Sequence, residues 1–549
     1  MPESFNASSY LVDRHVAAGR GDRLALTGPD TSLTYAELGD LVTRVAAGLR
    51  GLNVRPEERV VLVMADGPRL LAAILGAMRI GAVAVPVSTM LTGTELAALV
   101  RDARARVMVT SEQFLAEART AAAGAPEVTE LVVDGHADLA APLARTRVRD
   151  WDWKDLLAAG VGQSGEPYDT WDDSTALWLY TSGTTGTPKA AVHRHANIRH
   201  VVETYATSVL RTGPADRCYS VAKLFFAYGI GNSAFFPLAA GATTVLDPAR
   251  PTPDSVAARL VEYRPTLFFA VPTFYAAMVN SGAPPEVFAS VRLAVSAGEP
   301  MPAEVYRRFN RRFGVEILDG IGSTEALHIF LSNREGQVRP GSTGTPVPGY
   351  ELSVRDEAGN EVGDDQPGSL FVRGESLALG YWARTSVTRR VFQGEWLRTG
   401  DTYLRSADGY YTCLGRSDDM MKVGGIWVSP TEVEARLLEH PGVGQAAVVG
   451  MPDADGLDKP VACVVPAAGP GDPVGAEELV AFCRAGLAAF KRPRQVLFFD
   501  ELPTTATGKL RRFAVRDLAA QRLAGQTHRP DGSGRPGDPG EPEPESVPV

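Results

Sequence analysis

The chain has 549 residues, 44% of them hydrophobic, so it exceeds what one core usually organises and predicts two or more domains. A formal net charge of -10 without any basic block argues against nucleic acid as a partner. The four cysteines lack metal-type spacing, which predicts reduced thiols in a cytoplasmic protein. The polar N-terminus has no charged-then-apolar leader, and Arg79 and Pro86 interrupt the longest apolar stretch, residues 70–87. Neither an export signal nor a membrane span is therefore expected.

Apolar runs typical of strands alternate with helical patterns along the first part of the chain. The alternation predicts an α/β fold with parallel, doubly wound sheets. Thr34, with Glu37 three residues later, predicts a capped helix start. The expected strands are 60–64, 82–87, 107–110 and 130–133, and the expected helices are 35–49 and 91–103.

Residues 180–189 read Tyr-Thr-Ser-Gly-Thr-Thr-Gly-Thr-Pro-Lys and follow the apolar run 176–179. Two glycines that tolerate positive φ leave backbone N–H groups free to converge on an anion, while hydroxyls and one cation add further donors. The spacing does not fit the Walker pattern, so we predict a different kind of ATP-phosphate cradle. Its assigned residues are Thr181, Ser182, Gly183, Thr184, Thr185, Gly186 and Lys189.

Four later stretches resemble, in order and separation, the successive core motifs of the adenylate-forming superfamily. This superfamily comprises acyl-CoA synthetases, peptide-synthetase adenylation domains and luciferases. The stretches are Asp-Gly-Ile-Gly-Ser-Thr-Glu at 319–325, Arg-Thr-Gly-Asp at 398–401, the run 415–425, and Pro-Thr-Thr-Ala-Thr-Gly-Lys at 503–509. Segments 223–232 and 325–330 look most like the benzoate-CoA ligase branch. The resemblance covers about residues 8–524.

The resemblance implies two domains and a tail. A large N-terminal AMP-binding domain of doubly wound sheets spans 1–417, and a small mobile α+β lid spans 418–524 with its hinge at Asp418. Residues 525–549 are rich in Pro, Gly and acidic side chains and are predicted to be disordered. Within the lid we expect strands at 446–449, 462–465 and 495–499 and a helix at 476–488.

Site roles are also implied by the resemblance. Glu325 holds Mg²⁺, Thr324 contacts the α-phosphate, and Asp401, with Arg416 beside it, accepts hydrogen bonds from the ribose hydroxyls. Lys509 is the catalytic cation at the acyl carboxylate. The adenine site is assigned to Ala297, Gly298, Glu299, Asp319, Gly320 and Ile321. After the lid pivots, the thiol tunnel is assigned to Lys422, Gly424 and Gly425.

Aromatic residues in the benzoate-like segments predict a short, flat, apolar pocket for an aromatic acid. Its residues are Phe226, Ala227, Tyr228, Gly229, Phe236, His328 and Ile329. A dinucleotide fingerprint is the competing interpretation, because Gly229 and Gly231 precede Asp247 at suitable spacing. We reject it because the phosphate-binding helix would have to pass through Pro237.

The predicted activity is an ATP-dependent aryl-acid:CoA ligase that uses Mg²⁺, forms an acyl-adenylate and then a thioester, and works as a monomer or homodimer. Three alternatives stay open: loading of an acyl carrier protein, a luciferase-like monooxygenase, and a non-catalytic adenylate-binding protein. His193 and His195 have no third ligand in sight, so no zinc site is proposed.

Overall fold

The computed structural model describes residues 3–29, 31–135, 148–182, 188–423, 426–452, 458–467, 474–504 and 510–527. Strands and helices alternate through the first 350 residues, which confirms the predicted α/β class. The strands of this part are β1 (Leu24–Thr27), β2 (Ser32–Thr34), β3 (Arg59–Val63), β4 (Val83–Pro86), β5 (Val107–Ser111), β6 (Glu130–Asp134), β7 (Arg149–Asp152), β8 (Thr175–Ser182), β9 (Pro188–Arg194), β10 (Arg217–Ser220), β11 (Thr243–Val245), β12 (Leu267–Ala270), β13 (Leu293–Ala297), β14 (Ile317–Gly322), β15 (Ile329–Ser332) and β16 (Thr345–Pro346).

Twelve α-helices lie within the described residues of the same part, several with the caps that their sequences predict. Thr34 and Glu37 form a reciprocal capping box at the start of α2, as expected. The helices are α1 (Arg14–Ala17), α2 (Tyr35–Gly51), α3 (Pro68–Arg79), α4 (Gly93–Ala103), α5 (Leu115–Gly124), α6 (Trp153–Ala159), α7 (His195–Val201), α8 (Ala227–Ile230), α9 (Phe236–Ala240), α10 (Pro253–Tyr263), α11 (Pro272–Asn280) and α12 (Ala303–Phe313). Short π-helical turns lie at Ser9–Asp13, Val202–Thr207 and Gly231–Phe235, and 3₁₀ turns at Glu112–Phe114, Pro285–Phe288 and Ala489–Lys491.

Two large sheets organise this part of the molecule. The first has the order β7-β6-β5-β3-β4-β8-β9 and is parallel except for the β8–β9 pair. The second has the order β16-β15-β14-β13-β12-β10-β11-β1-β2, with a parallel centre from β14 to β1. In both, sequential strands are added on either side of an early strand, the doubly wound arrangement that places ligands at the carboxyl ends of strands.

The expectation that Pro237 would prevent a helix is wrong. Residues 227–240 follow a continuous helical path in which α8 leads into the π-turn Gly231–Phe235 and then into α9. The π-turn shifts the hydrogen-bonding pattern by one residue. Pro237 therefore lies at the start of a new α segment, where a missing N–H is tolerated.

The C-terminal part contains a five-stranded antiparallel sheet followed by a small α+β unit. Its strands are β17 (Glu351–Arg355), β18 (Gly368–Arg373), β19 (Phe392–Gln393), β20 (Trp396–Arg405), β21 (Tyr411–Arg416), β22 (Met421–Val423), β23 (Ile426–Val428), β24 (Val443–Pro452), β25 (Asp458–Pro466) and β26 (Gln495–Phe498). Its helices are α13 (Thr385–Val391), α14 (Pro430–Leu438), α15 (Ala476–Gly486) and α16 (Arg512–Thr527). Helix α16 therefore extends into the segment assigned to the tail, and residues 528–549 lie outside the described part of the chain.

The small unit has its own hydrophobic core. Strands β24, β25 and β26 form its sheet, with α14 and α15 packed on one cluster of buried side chains and α16 on the other. Helix α14 also packs against α12 of the large part. The predicted lid is thus a separate packing unit that touches the large part, the body of the protein.

Candidate active site

The predicted phosphate cradle lies between two paired strands. Thr181 at the end of β8 pairs with Lys189 at the start of β9, and Tyr180 pairs with Ala190. Residues 183–187 lie outside the described part of the chain, as does the side chain of Ser182, so these assignments stay predictions. The ammonium of Lys189 lies 5.7 Å from the ring centre of Tyr381.

Residues 378–381 hold Glu325 by hydrogen bonds to both its side chain and its backbone. Tyr381 donates its hydroxyl proton to Oε1 of Glu325 at 2.6 Å, and the N–H of Ala378 donates to the Glu325 carbonyl at 2.8 Å. The same segment pairs with β9, because Ala191 and Tyr381 form an antiparallel bridge. The phosphate-loop exit and Glu325 are therefore fixed relative to each other.

The neighbouring Thr324 is held by a buried histidine. Nε2–H of His193 donates to the Thr324 carbonyl at 2.8 Å, and Nδ1 accepts a hydrogen bond from Nδ2 of Asn197 at 2.9 Å. Burial lowers the pKa of His193 to about 4, so the ring is neutral. His193 thus has a positioning role, as sequence reasoning did not foresee.

Asp401 and Arg416 pair across the β20–β21 hairpin. Nη1–H of Arg416 donates to Oδ1 of Asp401 at 3.0 Å. Partial desolvation opposes the charge of Arg416, whose side chain is 47% exposed, but Asp401, and then Asp418 and Glu325, raise its pKa. The carboxylates assigned to ribose, hinge and metal therefore all act on one guanidinium, which shows that the tertiary structure brings them together.

The two segments assigned to adenine lie side by side. Strands β13 and β14 pair in parallel, with Ala297 opposite Gly320. Gly298 follows β13 with φ of +102°, a conformation that favours glycine. Burial raises the pKa of the Asp319 carboxyl well above its usual range. The body contacts the lid here, since Oε1 of Glu299 accepts the N–H of Leu510 at 2.6 Å.

An aromatic wall forms around His328. Its ring centre lies 4.5 Å from that of Phe236, 5.6 Å from that of Tyr228 and 5.4 Å from that of Tyr205, a residue outside the predicted pocket. Nε2–H donates to Oδ1 of Asn232 at 3.1 Å, and burial lowers the pKa of His328 to about 3, so the ring is neutral. Ile329 is buried as well, while Phe226 and Ala227 are half-buried.

Two glycines of the helical segment 227–240 lie in close contact with other residues of the protein. A Cβ at Gly229 would lie 1.9 Å from the carbonyl oxygen of Lys223, and one at Gly231 would lie 2.3 Å from Cδ2 of His328. Gly231 therefore lets the helical backbone approach the His328 ring. This close contact, rather than the proline, is the structural argument against a dinucleotide fingerprint.

Residues assigned to the hinge and the second half-reaction are placed only in part. Asp418 lies in the turn after β21, where the N–H of Asp419 donates to the Arg416 carbonyl at 3.0 Å. The backbone of Lys422 pairs with Trp427 in the β22–β23 hairpin. Gly424, Gly425 and Lys509 lie outside the described residues, and so does the side chain of Lys422.

His195 is buried against the N-terminal segment of the chain, and its pKa predicts how the free energy of unfolding depends on pH. Its Nδ1 accepts the Ala7 N–H at 3.1 Å, and burial lowers its pKa to about 3. The unfolded chain takes up a proton below about pH 6.5 and the folded chain does not, so stability falls with acid. Asn at this position retains an acceptor near Nδ1. The unfolding free energy should fall between pH 7.5 and pH 5 in both proteins. We expect the fall to be about 2 kcal/mol smaller in His195→Asn than in wild type.

Denaturant unfolding at the two pH values measures this difference. The pH 7.5 value of each protein is its own reference, so any cavity left by the smaller side chain cancels. Equal acid sensitivity in the two proteins would contradict the prediction.

The protein has two helix-flanked sheets, polar groups that converge at their strand ends, and a small unit docked beside them. This combination defines a two-domain adenylate-forming enzyme. Residues 13–382 match the family model described as AMP-binding enzyme, and residues 432–509 match the AMP-binding enzyme C-terminal domain. The chain belongs to this AMP-binding enzyme family. Within the described residues, no helix has the length and apolar character to cross a membrane.

Relatives of known activity cover nearly the whole chain. Benzoate–CoA ligase of Thauera aromatica is 43% identical over 94% of this chain and 96% of that protein. The 4-hydroxybenzoate–CoA/benzoate–CoA ligase of Rhodopseudomonas palustris is 44% identical over 94% of each. The crystal structure of a benzoate CoA ligase from Burkholderia xenovorans LB400 has a TM-score of 0.85 at 43% identity, covering 93% of this chain and 100% of that one.

Proposed function

We propose that this protein is an AMP-forming aryl-acid:CoA ligase that activates benzoate or a substituted benzoate. The observation that carries the proposal is the link between the aromatic wall and the predicted adenine edge. The hydroxyl of Tyr228 donates to the carbonyls of Ala270 in β12 and Val295 in β13, at 3.3 and 3.0 Å. A flat ring resting on this wall is therefore held beside the strand ends assigned to the nucleotide. The names and coverage of the relatives support the same substrate class.

The first half-reaction joins two anions. A carboxylate oxygen of the acid forms a bond to the α-phosphorus of ATP, and the bond from that phosphorus to the bridging oxygen of pyrophosphate breaks. Developing negative charge must be spread over cations and N–H donors. Lys189 and Lys509 are the cations that we assign to this task. Thr324, which His193 holds in place, supplies a donor at the α-phosphate.

The residues around Glu325 fit a Mg²⁺ ion that nucleotide phosphates share. Among the described residues, no group of three or more His, Cys, Asp or Glu side chains forms a metal cage. Mg²⁺ is commonly bound through one or two carboxylates together with substrate phosphates, which is the donor set that Glu325 and ATP provide. When bound, the ion offsets phosphate charge. Tyr381 orients the Glu325 carboxylate.

Removing the Tyr381 hydroxyl tests this arrangement. We expect Tyr381→Phe to lower the rate of acyl-adenylate formation about tenfold, because a hydrogen bond to a charged acceptor is lost. The Mg²⁺ concentration for half-maximal pyrophosphate release should rise at the same time. Tyr410→Phe is the matched control, because the Tyr410 hydroxyl donates only to the exposed Gln337 carbonyl among its described contacts. Equal Mg²⁺ dependence in Tyr381→Phe and wild type would refute the positioning role.

In the second half-reaction a thiol attacks the acyl-adenylate carbonyl and AMP leaves. We assign the thiol path to Lys422, Gly424 and Gly425, because the two glycines have no side chains to obstruct a pantetheine arm. CoA is the proposed acceptor, and an acyl carrier protein with the same arm is the alternative. All four cysteines are free thiols, which supports our proposal of a cytoplasmic enzyme. We propose that it is a monomer or a homodimer.

The wall predicts the size of the acid. Phe236, His328 and Ile329 are buried, and we propose that they close one side of the pocket and leave no path for a long chain. We expect benzoate or a lightly substituted benzoate to be used at least about tenfold more efficiently than any fatty acid longer than about eight carbons. Pyrophosphate release over a panel of aryl and fatty acids measures this.

Each outcome of the panel discriminates between functions. Equal turnover of hexadecanoate and benzoate would refute the aryl pocket. Oxygen uptake or light emission after adenylation would indicate a luciferase-like enzyme, and absence of pyrophosphate release with every acid would indicate a non-catalytic protein. Thioester formation with CoA, compared with a carrier protein, decides the acceptor.

A further inference from the structure

One hydrogen bond joins the body to the lid directly after Lys509. The Leu510 N–H donates to Oε1 of Glu299, a charged acceptor, at 2.6 Å. Leu510 also bridges Thr504 in antiparallel fashion, and the N–H of Arg511 donates to the Pro503 carbonyl at 2.8 Å. The residues just before and just after 505–509 are therefore hydrogen-bonded to each other beside Glu299.

The next residue, Arg512, anchors this point to the rest of the lid. Its guanidinium pairs with Glu434 of α14 and donates to the Val448 carbonyl of β24 at 2.8 Å. Its Nε lies 3.4 Å from Oδ2 of Asp419, beside the predicted hinge. The pairs with Glu434 and Val448 lie within the lid, so a rigid rotation of the lid preserves them. The bond from Glu299 crosses to the body, so the same rotation breaks it.

We propose that Glu299 is a positioning residue that holds the lid in the orientation for acyl-adenylate formation. The inference rests on the proposed function, in which Lys509 acts in the first half-reaction and leaves during the second. A single hydrogen bond to a carboxylate contributes enough to favour one orientation and little enough to be released when the lid turns. Glu299 thereby acts through Leu510 on the placement of Lys509.

Hydrogen exchange reads out the contact without any activity. In the unliganded full-length protein, Glu299→Ala should speed amide exchange in the peptide that contains Leu510, because its N–H loses a charged acceptor. Glu299→Gln retains an oxygen acceptor and should give a smaller change. Glu304→Ala is the control for the loss of a carboxylate, since among its described contacts Glu304 pairs with the exposed Arg307 and Arg311. Exchange at Leu510 that is the same in Glu299→Ala and wild type would overturn the proposal.

The two half-reactions provide the functional test. Glu299→Ala should lower the rate of adenylate formation about ten- to a hundredfold, the range for losing a hydrogen bond to a charged acceptor. Thioester formation from preformed benzoyl-adenylate and CoA should fall by a clearly smaller factor. The KM for ATP separates positioning from nucleotide binding: it should change less than kcat.

Equal losses in both half-reactions, or a loss confined to the KM for ATP, would assign Glu299 to nucleotide binding instead and refute its positioning role. Failure of the proposed function is distinguishable, because wild type would then form no benzoyl-adenylate while the exchange experiment would still report on the Glu299–Leu510 contact.

Discussion

Lys509→Ala is expected to lower acyl-adenylate formation about a hundredfold or more, the effect of removing a transition-state donor. The cation acts where the carboxylate attacks and the bridging oxygen departs, so its charge contributes most while charge is shifting. Thioester formation should survive, because the lid rotation that the family resemblance implies removes Lys509 from the site. Pyrophosphate release measures the first step, and benzoyl-CoA formation from preformed benzoyl-adenylate measures the second.

Gly425→Leu is the complementary variant. A leucine side chain in the predicted thiol tunnel should block thioester formation while pyrophosphate release continues. The pair of variants therefore separates the half-reactions in opposite directions. Loss of both half-reactions to the same extent in both variants, with folding intact, would show that the rotating-lid mechanism does not apply to this protein.

Gly231→Ala is expected to lower kcat/KM for benzoate about a hundredfold, although alanine is ordinarily the better helix former by about 1 kcal/mol. Gly231 has helical φ of -60°, so alanine fits the backbone. The added Cβ, however, would lie 2.3 Å from Cδ2 of the buried His328 ring. The ring or the helix must move, which displaces the wall on which the aromatic acid rests. Overpacking of this kind lowers unfolding free energy by about 1–3 kcal/mol.

Gly213→Ala is the control for this substitution, because a Cβ at Gly213 meets no atom within 4 Å. Steady-state kinetics with benzoate and thermal unfolding measure the two effects. Activity equal to wild type in Gly231→Ala would show that the Gly231–His328 contact does not shape the acid site. A fall in Gly213→Ala as large as in Gly231→Ala would have the same consequence.

Local signals in the sequence determined the element types and the class of chemistry. Hydrophobic alternation and the Thr34–Glu37 pair predicted helix α2 and its start, because capping and periodicity act within a few residues. The motifs around Glu325 and Asp401 indicated an adenylate-forming enzyme through their resemblance to the superfamily, and each motif is a short stretch of the chain that can be recognised without the fold. The prediction that Pro237 would prevent a helix was wrong because a π-turn precedes it. The proline therefore lies in the first turn of a new helical segment, where its missing N–H is tolerated.

Only the tertiary structure decided which distant residues support those motifs. Tyr381 lies 56 residues from Glu325 and His193 lies 131 residues from Thr324, so no spacing in the sequence indicates either hydrogen bond. Leu510 and Glu299 lie 211 residues apart in the chain, and their contact joins two separate packing units. Such pairs depend on how sheets and lid pack against each other, and packing is set by the summed burial of many side chains rather than by a local pattern.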